Sequence, residues 1–216
     1  MKRGLAVTPC LGPPLADAAA PTTGRHTSQA MSAWDQLRWA GHDAMAAARN
    51  TARRVFGARL ILNHGPRIVL ILRRKVSANR PGRLILNERA TLEAISHADA
   101  LSSLTTIELE RLPLHKQWEA MSQADLAIGV HGAGLANALL MPECGVLIEI
   151  RERLRPGYTQ FVPRGGTMYL AYTDAKIRDL SAYEFFHRNI TINTTLMATY
   201  VKEGIRKWNW CRRSLG

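Results

Sequence analysis

The sequence predicts an α/β protein built on a Rossmann-like, doubly wound parallel sheet, with helical segments at its N- and C-terminal ends. Three observations carry that expectation. Short runs at 67–72, 126–130 and 146–150 are almost wholly apolar and rich in Val and Ile, as strands covered on both faces must be. Segments with Ala and Leu three and four residues apart separate them, which is the period of a helix. The connections are short and punctuated by Gly or Pro, so each crossover is expected to be right-handed.

The stretch 125–150, DLAIGVHGAGLANALLMPECGVLIEI, is the clearest of these units. Leu126 to Val130 reads as a buried strand that ends at His131-Gly132-Ala133-Gly134. AGLANALLM then reads as a helix, Pro142-Glu143-Cys144-Gly145 stops it, and Val146 to Ile150 is the next strand. The HGAG loop therefore lies at the carboxyl end of a strand and the amino end of a helix. Unpaired backbone N–H groups and the positive end of the helix dipole favour an anion there, above all a phosphate. Tight packing of strand against helix is the other reason for glycines at such a place. The loop is neither a Walker A sequence nor GxGxxG, so its pattern does not name a ligand.

Residues 1–30 are rich in Pro, Ala, Gly and Thr without periodicity and predict a weakly ordered leader. Ser32 can cap a helix over 33–56, with Trp34, Leu37, Gly41, Met45, Ala48, Ala52 and Val55 along one side. Residues 31–64 thus form a long helix and linker. The sheet domain is expected over 65–178. Strand 67–72 ends in Arg73, Arg74 and Lys75, on the same sheet edge as HGAG, where three cations could face one crevice or simply be solvated. Leu84 to Asn87 leads into a helix over 88–98, for which Asn87 is the expected cap. A strand at 104–109 and a helix at 113–124 complete the order β-α-β-α-β-α-β, and a further strand is expected at 167–172. The tail, 179–216, is expected to be partly helical, with Thr191-Ile192-Asn193-Thr194-Thr195 opposing one continuous helix.

Composition narrows the class. With 46% hydrophobic residues the chain can bury a core, and 29 Lys and Arg against 17 Asp and Glu give a formal charge of +12. That charge suits an anionic partner, but the basic residues are scattered and aromatics are only 6%, so a nucleic-acid surface is not favoured. Cys10, Cys144 and Cys211 lie far apart with no metal-ligand spacing, and buried or unpaired thiols are expected. No apolar run reaches the roughly 18 residues of a membrane span. Gly, Pro and Asp interrupt the apolar part of the leader, which makes a secretory signal unconvincing.

Several fragments together resemble glycosyltransferase family 61, which contains plant xylosyl- and arabinosyltransferases and animal N-acetylglucosaminyltransferases acting on protein O-glycans. The matching residues are IVLILRR, RLILNE, LHKQWEAMSQADLAIGVHGAGLANALLMPECGVLIEI and, more weakly, GGTMYLAY, spanning about 65–172. Ala136 stands where the family commonly has Thr. The resemblance implies one half of a GT-B fold, the donor-binding half. Members are longer and carry an upstream Rossmann-like domain, so this chain is expected to bind donor but turn over poorly by itself.

The implied reaction is transfer of a sugar from a nucleotide sugar, expected to be UDP-linked, to a glycan or glycoprotein acceptor, with inversion. By resemblance, Arg73 or Arg74 together with Arg83 would pair with the diphosphate, and the N–H groups of Gly132, Ala133 and Gly134 would take the remaining oxygens. His131 would donate to a phosphate or shape the turn. Asn87, Glu88, Asn137 and Glu149 would contact ribose or base, or position the loop. No Asp-x-Asp pair follows a strand, so binding without metal or other cofactor is expected. The general base would belong to the upstream domain. The family places the protein in the Golgi or endoplasmic reticulum lumen, and the triplets Asn189-Ile190-Thr191 and Asn193-Thr194-Thr195 are compatible with that. An inactive donor-binding scaffold and a basic nucleic-acid-associated protein are the competing readings.

Overall fold

The computed structural model describes residues 42–56, 65–74, 83–152, 162, 166–178, 180–181, 184–185 and 188–215. The predicted leader, the start of the 33–56 helix, Lys75 and most of the linker that follows it lie outside the described residues.

The chain runs through helix α1 (His42–Phe56), strand β1 (Arg67–Ile71), α2 (Glu88–Ser96), β2 (Ser103–Ile107), α3 (Leu114–Ser122), β3 (Leu126–Val130) and a 3-10 helix (Ala133–Leu140). It continues through β4 (Val146–Ile150), β5 (Met168–Tyr172), a single turn α4 (Ala175–Arg178) and the long α5 (Thr194–Leu215). All five strands pair in parallel, in the order β2-β1-β3-β4-β5. This is a Rossmann-like α/β sheet of the flavodoxin-type order. Chain direction across the sheet reverses between β1 and β3, and such a reversal opens a crevice at the carboxyl ends of those two strands.

Strand alternation divides the core into two layers. Ile68, Leu70, Leu126, Ile128, Val146, Ile148 and Ile150 face Ile95 of α2 and Met197, Val201 and Trp208 of α5. Val69, Ile71, Ala127 and Leu147 face the other way, against Met121 of α3 and Leu135 and Ala138 of the 3-10 helix. Helix α1 packs outside that second layer, on α3 and the 3-10 helix. At the amino edge of the sheet, Asp125 accepts the Arg67 N–H at 2.9 Å while its own N–H donates to Arg67 O, which fixes the β1–β3 register.

Three local features differ from the sequence reading, and a fourth bears it out. AGLANALL is a 3-10 helix rather than an α-helix. Asn87 does not cap α2 with its side chain. Its amide instead donates to Ile192 O at 2.8 Å and accepts Ile192 N–H at 2.9 Å, tying the start of α2 to the chain ahead of α5. That backbone offers both a donor and an acceptor to one amide, a better bargain than a single cap bond. Cys144 and Cys211 are not unpaired thiols: they form a disulfide between the turn before β4 and the end of α5, with Cα atoms 5.6 Å apart. Finally, 191–195 does interrupt helical structure, and it does so by starting a helix, because the Asn193 side chain accepts the Leu196 N–H at 3.1 Å as a cap.

Candidate functional site

The carboxyl end of β1 delivers Arg73 and Arg74 in opposite directions, as successive residues of an extended chain must be. Arg73 turns toward the HGAG loop. A Cβ added to Gly132 would lie 2.2 Å from Arg73 Nη1 and 3.5 Å from Arg83 Nη2, so both guanidinium groups close on that glycine. Glu110 steadies Arg73 from behind, its Oε1 3.5 Å from Nε. Arg74 turns away. Glu88 holds it with two hydrogen bonds, 2.6 and 3.1 Å, and Glu108 lies 3.5 Å off. The hydrogen bond from Arg74 holds the Glu88 carboxyl below its usual range, while the same contact raises the guanidinium. The structure thus assembles Arg73 and Arg83 at the loop and leaves Arg74 and Glu88 as an ion pair beside it.

Arg83 reaches the loop because its segment is anchored elsewhere. Ile85 bridges Ile190, Leu86 N–H donates to Ile190 O at 2.8 Å, and Ile190 N–H donates to Leu84 O at 2.9 Å. From that platform Arg83 Nη1 donates to the carbonyl of His131.

In the loop, Gly132 is extended, with φ 169°, a conformation open to any residue. The glycine is there for proximity to Arg73, since any side chain would displace the guanidinium. Gly134 answers to packing instead: a Cβ there would lie 2.9 Å from Leu109 Cδ1. Intrahelical bonding begins with Leu135 N–H donating to Gly132 O at 3.0 Å, so the N–H groups of Ala133 and Gly134 precede the first bond of the 3-10 helix. A cleft of about 170 Å³ opens beside them, lined by Arg73, Leu109, Glu110 and 132–135. It lies at the switch point between β1 and β3.

The other residues singled out from the sequence fall around this crevice. Glu149 is fully buried in β4, behind the loop, where its Oε1 pairs with His131 Nδ1 and its Oε2 accepts the Tyr169 hydroxyl at 2.5 Å. Burial, then the charge of Glu149, pushes the Tyr169 phenol far above its usual range, so it stays a donor. Asn137 lies on the 3-10 helix and donates to Gln117 Oε1 at 3.1 Å, and Gln117 in turn donates to Leu112 O at 2.9 Å. Asn137 and Trp118 line a separate apolar cleft of about 490 Å³ under α1. Asn87 is committed to Ile192. Tyr169 escaped the sequence reading. Its signal was a strand residue sharing parity with Leu147 and Glu149 once the β4–β5 register is known, and register is not written in the sequence.

Among the described residues no cluster of metal-ligating side chains occurs, and no helix is long and apolar enough to cross a membrane.

Comparison with solved structures returns flavodoxin-like α/β proteins. The metal-soaked Flv1 flavodiiron core from Synechocystis sp. PCC6803 shares 9% identity over 70% of this chain, with a TM-score of 0.40, and this chain spans 37% of that one. An oxidoreductase from Corynebacterium diphtheriae shares 12% over 68% of this chain and 99% of its own, with a TM-score of 0.38. A WrbA-like flavodoxin from Agrobacterium tumefaciens shares 12% over 69% and 99%, with a TM-score of 0.34. Likeness at this level carries no argument, and the fold assignment rests on the sheet order itself. No curated protein matches the sequence. The family model described as Glycosyltransferase 61 matches residues 23–148, more than half of the chain and the whole stretch from α1 through the HGAG loop into β4. The chain belongs to glycosyltransferase family 61.

Proposed function

We propose that this chain is the nucleotide-sugar-binding half of a GT-B glycosyltransferase, with the sheet domain at 65–178 carrying the donor, and that the crevice beside HGAG holds the donor's diphosphate. The observation that carries the reading is the convergence of Arg73 and Arg83 on Gly132, next to the N–H groups that open the 3-10 helix. Two guanidinium groups match phosphate oxygens bidentately, and backbone dipoles aimed at the same point need no reorganisation as charge develops.

In the reaction proposed, an acceptor hydroxyl oxygen attacks the anomeric carbon and the bond from that carbon to the distal phosphate oxygen breaks. The electron pair leaves with the nucleoside diphosphate, and the hydroxyl proton passes to a base supplied from outside these residues. Arg73 and Arg83 stabilise the departing diphosphate, the task a divalent cation performs in other transferases, so the reading requires no metal. The donor is a UDP-sugar and the acceptor a glycan or glycoprotein.

Residence in the lumen of the Golgi or endoplasmic reticulum belongs to the same proposal. The Cys144–Cys211 disulfide supports it, because such bonds persist in oxidising compartments.

The test is thermal unfolding of the purified chain in chelator, with and without millimolar UDP, GDP and UDP-sugars. A ligand at about 100 times its dissociation constant adds about 2.7 kcal/mol, a plain rise in midpoint. A UDP-selective rise that vanishes in Arg83→Ala supports the reading. Equal response to every nucleotide, or none from a folded chain, overturns it.

A further inference from the structure

Glu149 is the one carboxylate set in the middle of the apolar strand run, and it is fully buried. A carboxylate taken out of water persists only where donors replace its hydration. Two of them are on the same face of the sheet. Val130 and Ile150 point toward α2 and α5, so His131 and Glu149 point the other way. Glu149 is paired in register with Gly129, which makes His131 its diagonal neighbour across β3, and Tyr169, in register with Leu147, is its diagonal neighbour across β5. One carboxylate thus accepts a hydroxyl hydrogen bond from one side and faces an imidazole nitrogen on the other.

The geometry points to Glu149 and Tyr169 as positioning residues that hold the His131 ring in one orientation and one tautomer at the diphosphate crevice. This inference rests on the proposed reading of the crevice as a diphosphate site. The Tyr169 hydroxyl donates to Oε2, and Oε1 is the atom that meets Nδ1. The Nδ1–H tautomer is thereby selected, as the outer partner of an imidazole usually does. The residue is also fixed at its backbone, where the N–H donates to Ile150 O at 2.9 Å and the carbonyl accepts from Arg83. The side chain keeps 17% exposure, and the three residues that follow it, Gly132 to Gly134, line the crevice.

Glu149 serves the donor through His131, rather than by touching ribose.

Two measurements on the full chain test this. Long-range proton–nitrogen NMR of the ligand-free protein reports the tautomer of His131, and calorimetry of UDP binding reports the affinity of the wild type and its variants. The expected result is an Nδ1–H ring in the wild type, which Glu149→Gln no longer fixes, and weaker UDP binding in that variant. Glu149→Gln should weaken UDP by about 10- to 100-fold, the range seen for outer partners of ligating histidines. Tyr169→Phe, which removes one oxygen atom, should act in the same direction with a smaller effect. An Nε2–H ring in the wild type overturns the positioning role, and so does UDP affinity unchanged in Glu149→Gln. Absence of binding by both UDP and pyrophosphate would instead sink the diphosphate site itself, and the tautomer would still decide the pairing with Glu149.

Discussion

Replacing Cys211 by serine opens a covalent loop whose ends are 67 residues apart in sequence. In the chain-entropy account, closing a loop of that length removes enough freedom from the unfolded state to stabilise the fold by about 4 kcal/mol. Cys211 is the better site for the change, because it is half-buried at the end of α5, whereas Cys144 is fully buried and a serine hydroxyl there would add its own desolvation cost. With a urea dependence of about 2 kcal/mol per molar, the unfolding midpoint should fall by about 2 M. Wild-type protein in reductant should fall by a similar amount, and reductant should do nothing further to Cys211→Ser. Peptide mapping after alkylation of the native chain should leave both cysteines unmodified until reduction. Coincident midpoints for variant and wild type without reductant, or alkylation of Cys144 in the native unreduced chain, would refute the reasoning.

The two loop glycines should separate function from stability. Gly132→Ala places its Cβ against Arg73 Nη1 and should abolish the UDP-dependent rise in unfolding temperature with little loss of stability, since a guanidinium tip can move and φ 169° is open to alanine. Gly134→Ala presses on Leu109 Cδ1 and should cost about 1–3 kcal/mol in a urea titration, the usual penalty of overpacking. Asn87→Ala removes both hydrogen bonds to Ile192 and should cost about 2 kcal/mol, with faster amide exchange at Ile192 as the local sign. Arg74→Ala should remove a pH-dependent increment. Glu88 is held below its usual range by Arg74, so the pair contributes fully above the unfolded carboxylate value of about 4.3 and loses its effect as pH falls through the folded value. Both side chains are partly exposed, so the increment is about 1 kcal/mol or less, present at pH 7 and gone at pH 3 in paired denaturation curves.

The sequence by itself determined the sheet. An apolar strand must be covered on both faces, and its composition announces that without any partner being known, so β1, β3 and β4 were legible, as was the glycine turn between Val130 and Leu135. Family membership was legible for a related reason: HGAG and its flanking strands form a contiguous stretch. Tertiary structure decided everything that depends on which strand lies beside which. Arg73 and Arg74 are adjacent in sequence and equal in chemistry, and only the fold sends one to Gly132 and the other to Glu88. Cys144 meets Cys211 because α5 returns across the sheet, a path no spacing rule encodes. The sequence offered Glu149 as a ribose or base contact or a loop-positioning group, and only the β3–β4–β5 register shows that it lies between His131 and Tyr169. Alternation along a strand is local and can be counted, whereas register is fixed by distant contacts that exist only once the chain has folded.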